Sequence, residues 1–594
     1  MGEIGIHREN VGEVTTERIG EACQVGRPQS SVSATMDHGD EWVFGGNFFS
    51  NLTSAVRTQI VDNDDFKSRI KSSNCRHESS NVLSFVVGRQ DEYCTVDCDG
   101  IHDAPSLRAL SLVPVGRMKW SPVLAVATVL ALLGVWTISS PLFSSPDEPA
   151  NFVKGAALIR GDLVGEEVSP ELLKSYWTTV VDIDPQFGSV NGLPWCFAPF
   201  PDKPACTYDV ATAPQVDGVA WTNMGKYPPV GFLVPGLGTI FGPTNMSAYA
   251  ARILQALVCA ALLLGAGVVL RRRDRSLVGL VLAVVPGTIF LAATASPSGL
   301  EIVAGITLWV VAPLVLSGGS SSLERRLFAI AGVFLIATRP LGLIFYLAVV
   351  GVSLFVERVS MLDGVRNVGT RIASLHGVAA GFMVWWYLTI YGPATRTKID
   401  FGDVPLDLRR QMEEIIKGLP RILEQYVGNF GWLDTPAPQA IVTASVVSVI
   451  GIALFAWRTL GWREWTSLAF LFGASITFTV AADLNYYQLL RTFGSQGRHV
   501  APFLAGIPLL IGTRFSRGSR SSLAVFVISG VTVVWSFFVM LRRYSVGVIP
   551  GNFSQMWTDP TWSPPLGITG SLVTIWVVTG ACVSVLYRAE YGNR

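Results

Sequence analysis

Long apolar runs recur from residue 120 to the C-terminal region and constrain this chain more than any other feature. Most are roughly 17–22 residues long, which is what an α-helix needs to cross ~30 Å of hydrocarbon. A segment in lipid must satisfy its backbone hydrogen bonds internally, so the runs predict helices and an all-α polytopic membrane protein. About twelve spans are predicted: 120–140, 249–270, 276–294, 299–317, 326–338, 341–356, 371–391, 438–457, 466–483, 500–514, 521–541 and 566–587.

The composition agrees with a membrane protein. Of 594 residues, 50% are hydrophobic and only 15% are charged, and the mean hydropathy is +0.42. Soluble domains carry about 25% charged residues. The net charge of +1, without a basic stripe interleaved with aromatic residues, argues against a nucleic-acid partner and leaves the lipid bilayer as the predicted surrounding.

The basic loops predict the orientation. With twelve spans, the loops rich in Lys and Arg all fall on one side, which the positive-inside rule assigns to the cytoplasm together with both termini. We therefore expect a multi-pass protein of the plasma (inner) membrane. Its large first outside loop is 142–248 and its second is 392–437. The basic segments are 271–275, 323–326, 357–371, 458–464, 514–520 and 587–594.

Residues 1–118 differ from the rest of the chain, because they are polar, mixed in charge and without sustained periodicity. They predict a flexible cytoplasmic extension ahead of a membrane domain at 119–594. An alternative is that the protein starts at Met118.

Three shorter features add detail to the predicted arrangement of spans and loops. The apolar stretch 230–242 contains Pro235 and predicts a helix in or near the outer interface. The pair 326–338 and 341–356 is short for full crossings. We expect the outward turn between them, at Arg339-Pro340, to lie below the membrane surface. Cys196 and Cys206 lie ten residues apart in the first outside loop and predict a disulfide, with two free thiols as the alternative.

Two adjacent acids, Asp147 and Glu148, stand between prolines just after the first span. One interpretation is structural: Asp147 caps the following helix and Glu148 favours its positive end. The other is functional. Phe152, Ala156 and Ile159 predict an amphipathic juxtamembrane helix on the outer membrane surface, which would hold a carboxylate where it can act as a general base.

The acidic pair and juxtamembrane helix resemble the D-E motif of the GT-C glycosyltransferases. The chain also resembles a bacterial family, domain of unknown function 2142, over about residues 118–590. One departure is Asn151, where many relatives carry His. The segments that carry this resemblance are "PDEPANFVKGAALIRGDLVG" (146–165), "KYPPVGFLVPGLG" (226–238), "ASPSGLEI" (295–302), "TRPLGL" (338–343), "NFGWLDTP" (429–436) and "QGRHVAPFLAGIPLL" (496–510).

The GT-C resemblance implies a GT-C-like fold and an enzyme that uses a sugar on a polyprenyl phosphate. The acceptor would be a cell-envelope glycan or glycolipid on the outside, and a divalent metal (Mg²⁺ or Mn²⁺) is left open. Asp147 is then the first candidate base and Glu148 the second, while Asp434 is a third outside acid with a structural alternative. The candidate phosphate-binding residues are Arg339, Arg498, His499, Lys226 and Tyr227.

Several of these residues also have a structural alternative. Arg339 could extend to the interface, Arg498 and His499 could anchor the outer rim, and Tyr227 could be an interfacial aromatic residue. Arg252, early in the second span, is predicted to pair with an acid for assembly. At the level of the whole protein, the alternatives are a transporter or flippase of lipid-linked sugars and a non-catalytic protein of envelope assembly.

Overall fold

The computed structural model describes residues 121–167, 178–215, 218–393, 407–490, 492–548 and 553–592. The predicted N-terminal extension, 1–118, and residues 394–406 of the predicted second outside loop lie outside these ranges. The described residues contain nineteen α-helices, numbered in chain order. They are α1 Pro122–Ser139, α2 Glu148–Ile159, α3 Val230–Leu237, α4 Asn245–Arg272, α5 Val278–Ala283, α6 Pro286–Ala292, α7 Pro297–Leu316, α8 Ser322–Ala337, α9 Gly342–Glu357, α10 Met361–Val368, α11 Thr370–Trp386, α12 Leu408–Gly428, α13 Gln439–Phe455, α14 Trp462–Leu490, α15 Gly497–Leu504, α16 Gly506–Gly512, α17 Arg520–Val546, α18 Gln555–Thr558 and α19 Gly567–Tyr591.

The described part of the chain contains seven helices that are long and apolar enough to cross a bilayer, or up to eight if α9 and α10 count as one bent span. The seven are α1, α4, α7, α11 with its π-helical extension Tyr387–Tyr391, α14, α17 and α19. This is a polytopic helical membrane protein, but the count of twelve full spans is not confirmed.

The physical reason is helix length. The predicted span 276–294 is divided into α5 and α6, and most of 500–514 is divided between α15 and α16. Pro286 begins α6 at a position where its missing N–H costs no helical hydrogen bond. Helices α8 and α9 have 16 residues each, or about 24 Å, which is short of the hydrocarbon thickness.

Helix α7 is the central element of the bundle. It packs against α4, α8 and α9, and 89% of its most apolar 18-residue window is buried within the protein. A helix that is apolar on every side is expected at such a position. The N-terminal end of α7 therefore lies within the protein, where it contributes to the candidate site.

The long segment 142–248, predicted as the first outside loop, folds against the bundle around α2. Residues Glu148–Ala157 of α2 are buried on every face, so protein surrounds α2 where its amphipathic pattern predicts one exposed apolar side. Helix α3 packs against α2 and exposes Leu233 and Leu237 instead. The 3₁₀ segment Gly238–Phe241 that follows α3 completes the predicted interfacial stretch 230–242.

Short strands and a disulfide complete the structure of this loop. A three-stranded antiparallel sheet has the order β1 (Glu166–Glu167), β2 (Thr179–Val181), β3 (Ala220–Thr222), with Val180 opposite Trp221. Cys196 and Cys206 are joined in a disulfide. A second pair of strands, β4 (Asn429–Phe430) and β5 (Thr435–Pro436), follows α12.

Candidate functional site

Asp147 directs its carboxylate away from the helix it precedes. It occupies the position before α2, but its side chain makes no capping hydrogen bond and its backbone is left-handed, with φ 63°. Its Oδ2 instead accepts a hydrogen bond from Arg498 Nη2 at 2.6 Å. Among the described residues, none donates to Oδ1. The helix-capping interpretation of Asp147 therefore does not account for this side chain.

Glu148 has different partners from Asp147 and is almost fully buried. Its two carboxylate oxygens accept hydrogen bonds from Arg252 Nε at 2.6 Å and Nη2 at 2.7 Å. The same carboxylate accepts from the backbone N–H of Ala295 at 3.1 Å and of Ser145 at 3.3 Å. The acid partner predicted for Arg252 is thus Glu148, and the two adjacent acids have different surroundings.

Asp147 lies at a cavity of about 260 Å³ that is lined by residues from distant parts of the chain. Arg498 comes from the start of α15 and Arg339 from the turn between α8 and α9. The wall also contains three tyrosines, of which Tyr227 and Tyr391 lie edge to face with ring centroids 5.3 Å apart. The lining residues used below are Asp147, Asn223, Tyr227, Ser296, Ser298, Arg339, Tyr391, Tyr486, Arg498 and His499.

Arg339 is held at the cavity by two side chains of α7. Its Nη1 donates to Ser298 Oγ and to Glu301 Oε2, both at 3.3 Å. The Arg339 side chain retains 18% exposure, whereas that of Glu301 retains 1%. The ion pair compensates the charge of Arg339 while leaving its guanidinium at the cavity wall.

His499 lies at the cavity as a neutral ring. Its Nδ1 accepts a hydrogen bond from the backbone N–H of Gln496 at 3.3 Å, so Nε2 carries the proton. Burial, together with the guanidinium groups of Arg339 and Arg498, lowers the pKa of His499 well below its usual range. His499 can thus donate a hydrogen bond to a ligand at neutral pH, but it does not add a positive charge.

The structure does not place every predicted residue at this cavity. Lys226 forms an ion pair with Glu167 and does not line the wall, although its neighbour Tyr227 does. Asp434 accepts from Arg543 Nε at 2.8 Å in a separate buried ion pair. Glu148 does not line the cavity either.

Several polar atoms around the cavity have no hydrogen-bond partner among the described residues. They include Asn223 Oδ1, Ser296 Oγ and Arg498 Nε, which are buried atoms of residues that line the cavity. Buried polar groups are normally paired, so this arrangement fits a polar ligand with both donors and acceptors. No three His, Cys, Asp or Glu side chains of the described chain are grouped as a metal site requires.

Sequence reasoning missed Glu301 and Ser296. Glu301 lies inside the predicted span 299–317, and an acid within an apolar span is itself an indication of function. Ser296 offers no comparable indication, because a serine before a proline at a helix start is common. Its importance depends on burial, which the sequence does not give.

The comparison with protein families supplies the identification. A family described as "Predicted membrane protein (DUF2142)" matches residues 130–507, which include Asp147, Arg339 and Arg498. The chain belongs to the DUF2142 family. A comparison with curated proteins finds no match. Membership of DUF2142 identifies a membrane protein but does not specify a reaction.

Proposed function

We propose that this DUF2142 protein is a membrane glycosyltransferase of GT-C type. It transfers a sugar from a polyprenyl-phosphate donor to an extracytoplasmic acceptor, a cell-envelope glycan or glycolipid, with inversion at the anomeric carbon. The cavity is assigned to the outer side of the plasma membrane, because the basic loops are assigned to the cytoplasm. Nucleotide sugars are cytoplasmic, so a lipid-carried donor suits a site on that outer side.

One observation carries this proposal. A carboxylate and two guanidinium groups from distant segments line a single cavity, and Asp147 and Arg498 are 351 positions apart in sequence. A base and cations in one enclosed space are the groups that sugar transfer from a phosphate requires. Had Asp147 faced solvent or capped α2, this proposal would have lost its base.

In the proposed reaction, Asp147 Oδ1 accepts the proton of an acceptor hydroxyl. The hydroxyl oxygen forms a bond to the anomeric carbon from the face opposite the phosphate. The bond between that carbon and the phosphate oxygen breaks, and its electron pair leaves with the polyprenyl phosphate. Attack from the opposite face accounts for inversion, and general-base catalysis of this kind contributes about 10²–10⁴-fold.

Arg339 and Arg498 stabilise the charge that develops on the leaving phosphate. A fixed guanidinium in a site with little water stabilises a developing negative charge strongly, and it can offer two parallel donors to phosphate oxygens. Arg498 already donates to Asp147, and its Nε has no partner among the described residues. A donor phosphate at Nε would therefore bring the leaving group close to the base.

The test is transfer by the full chain reconstituted in liposomes with radiolabelled polyprenyl-phosphate sugars. We expect Asp147→Asn to lower the transfer rate about 100-fold or more, because the amide cannot accept the proton. Asn also tolerates the left-handed backbone at this position, so the variant should fold and insert normally. Asp202→Asn, at an exposed position of the same loop, is the matched control and should retain the wild-type rate.

The outcomes separate the candidate functions. Undiminished transfer by Asp147→Asn would remove Asp147 from the mechanism. Label that becomes protected inside the vesicles without transfer would indicate a transporter or flippase. The absence of both activities with a range of donors and acceptors would favour a non-catalytic role in envelope assembly.

A further inference from the structure

The segment "ASPSGLEI" (295–302) has no binding role in the reaction described above, yet its first residues reach the cavity. Ser296, Pro297 and Ser298 all line the wall. They form the N-terminal end of α7, a helix of 20 residues. The positive end of a long helix thus lies beside Arg339.

Ser296 provides an independent indication that a ligand binds there. The residue is 1% exposed, and its Oγ has no hydrogen-bond partner among the described residues. It precedes α7 in the capping position, but its side chain does not cap the helix. A buried hydroxyl without a partner is unfavourable, and a ligand oxygen in the cavity would relieve that cost.

Ser298 and Arg339 extend the same surface. Arg339 Nη1 contacts Ser298 Oγ at 3.3 Å, so a guanidinium and a hydroxyl stand side by side at the first turn of α7. The first turn of a helix attracts anions through its dipole and through N–H groups that lack helical partners. In α7, Pro297 has no N–H and Gly299 donates its N–H to the carbonyl of Ser296 at 3.0 Å, so an anion would meet the N–H of Ser298 and the positive end of the helix. Hydroxyl groups, a guanidinium and a helix N-terminus together have the chemistry of a phosphate site.

Neighbouring elements hold this turn in place. Ala295 donates its N–H to Glu148 at 3.1 Å and accepts from Asn151 Nδ2 at 3.1 Å. The carbonyl of Ser296 accepts from Gln255 Nε2 at 3.0 Å. The turn is therefore fixed from both sides before any ligand arrives.

We propose that Ser296, Ser298, Arg339 and the first turn of α7 form the phosphate-binding subsite of the cavity. The ligand class is a phosphate monoester or diester. Its assignment to the phosphate of a lipid-linked sugar rests on the proposed function, whereas the phosphate chemistry follows from the residues themselves. Glu148 and Asn151 act as positioning residues, because they hold the backbone of Ala295.

The experiment measures binding to the purified full chain in detergent micelles by intrinsic tryptophan fluorescence. The probes are a polyprenyl monophosphate, the corresponding polyprenol and inorganic phosphate. We expect Ser296→Ala and Ser298→Ala each to weaken polyprenyl-phosphate binding by about tenfold, as expected for the loss of a hydrogen bond to a charged group. Ser317→Ala, at the far end of the same helix, is the matched control and should bind as the wild type does.

Wild-type affinity in the Ser296→Ala/Ser298→Ala double variant would overturn the proposal, as would equal affinity for polyprenol and polyprenyl phosphate. Competition by inorganic phosphate that depends on the same serines would support the subsite with a soluble phosphate as a ligand. Binding of the polyprenyl phosphate alone would support it with a lipid source. A melting temperature for each variant within a few degrees of the wild type confirms that folding is retained.

This result is separable from the proposed function, because binding is measured without transfer. Serine-dependent phosphate binding in a protein that transfers no sugar would reject the transferase and keep the subsite. Asp147-dependent transfer with unchanged donor binding in the double serine variant would keep the transferase and reject the subsite.

Discussion

Asp147 shows how much one side chain can depend on its backbone. Its left-handed conformation would favour glycine, asparagine or aspartate, and it turns the carboxylate from α2 toward Arg498. The sequence predicts an acid before a helix, and it predicts that Arg339 and Arg498 approach the same outer region. Adjacent helical residues point about 100° apart, so the sequence also predicts that only one of Asp147 and Glu148 reaches the acceptor. It does not predict the left-handed backbone at Asp147 or the burial of Glu148.

Lys154 is a buried residue whose charge should affect stability. It lies in α2 and donates through Nζ to the carbonyl oxygens of Leu163 and Gly225. Burial lowers the pKa of Lys154 to about 8, and the nearby Asp162 carboxylate opposes this shift. In the unfolded chain, the same ammonium keeps its ordinary pKa of about 10.4.

The sign of the pH dependence follows from these values. From about pH 8 to about pH 10.4, the unfolded chain binds this proton and the folded chain does not, so stability rises with pH. We expect Lys154→Met to remove this rise from the melting temperature of the purified protein, measured from pH 7 to 10.5. Lys203→Met, at an exposed lysine of the same loop, should keep it; equal pH profiles for all three proteins would contradict the prediction.

Helices α2 and α3 approach each other through glycine. A Cβ atom on Gly155 would lie 2.9 Å from Gly236 Cα, and one on Gly236 would lie 2.6 Å from the Gly155 carbonyl oxygen. We expect Gly155→Ala and Gly236→Ala each to force these helices apart and to lower the free energy of unfolding by about 1–3 kcal/mol. Thermal unfolding followed by circular dichroism measures the loss.

The control for this pair is Gly134→Ala in α1, where nothing lies within 4 Å of the added methyl group. Alanine favours a helix over glycine, so this variant should unfold at the wild-type temperature or slightly above it. Destabilisation of all three variants to the same extent would show that the contact between α2 and α3 is not the cause.

At the scale of elements, hydropathy predicts where apolar helices lie but not how they are surrounded. The apolar positions of α2 suit a membrane surface, whereas the structure buries them inside the protein. The runs 276–294 and 500–514 suit single spans. The first is divided at Val284, whose backbone is not helical, and the second contains Pro508, which lacks the N–H that a continuous helix would need. Periodicity cannot distinguish lipid from protein as the apolar neighbour.

For the whole molecule, α7 relates the cavity to the opposite end of the bundle. Its 20 residues are about 30 Å long, close to the thickness of the hydrocarbon core. Ser296 precedes one end at the cavity, and beyond the other end Arg273 donates to Gly319 and to Glu324. The cavity and the basic loop 271–275 are therefore expected on opposite sides of the membrane.

This orientation can be tested by labelling single cysteines with a membrane-impermeant maleimide. The substitutions are Asp202→Cys and Ser317→Cys, each in a chain whose other free cysteines are replaced. We expect Asp202→Cys to react in intact cells and Ser317→Cys to react only after the membrane is permeabilised. The cysteine-replaced parent is the control for background, and labelling of Ser317→Cys in intact cells would reverse the assigned orientation.

The bonding of Glu148 has a consequence for variation among DUF2142 proteins. The Glu148 carboxylate binds Arg252 of α4 and also accepts the N–H of Ala295, the residue before the proposed phosphate-binding turn. Loss of either charge would leave the other buried without compensation, which is strongly destabilising. We therefore expect residues 148 and 252 to change together among family members. A protein in which both are replaced would also need another acceptor for the N–H of Ala295 to hold the start of α7 in place.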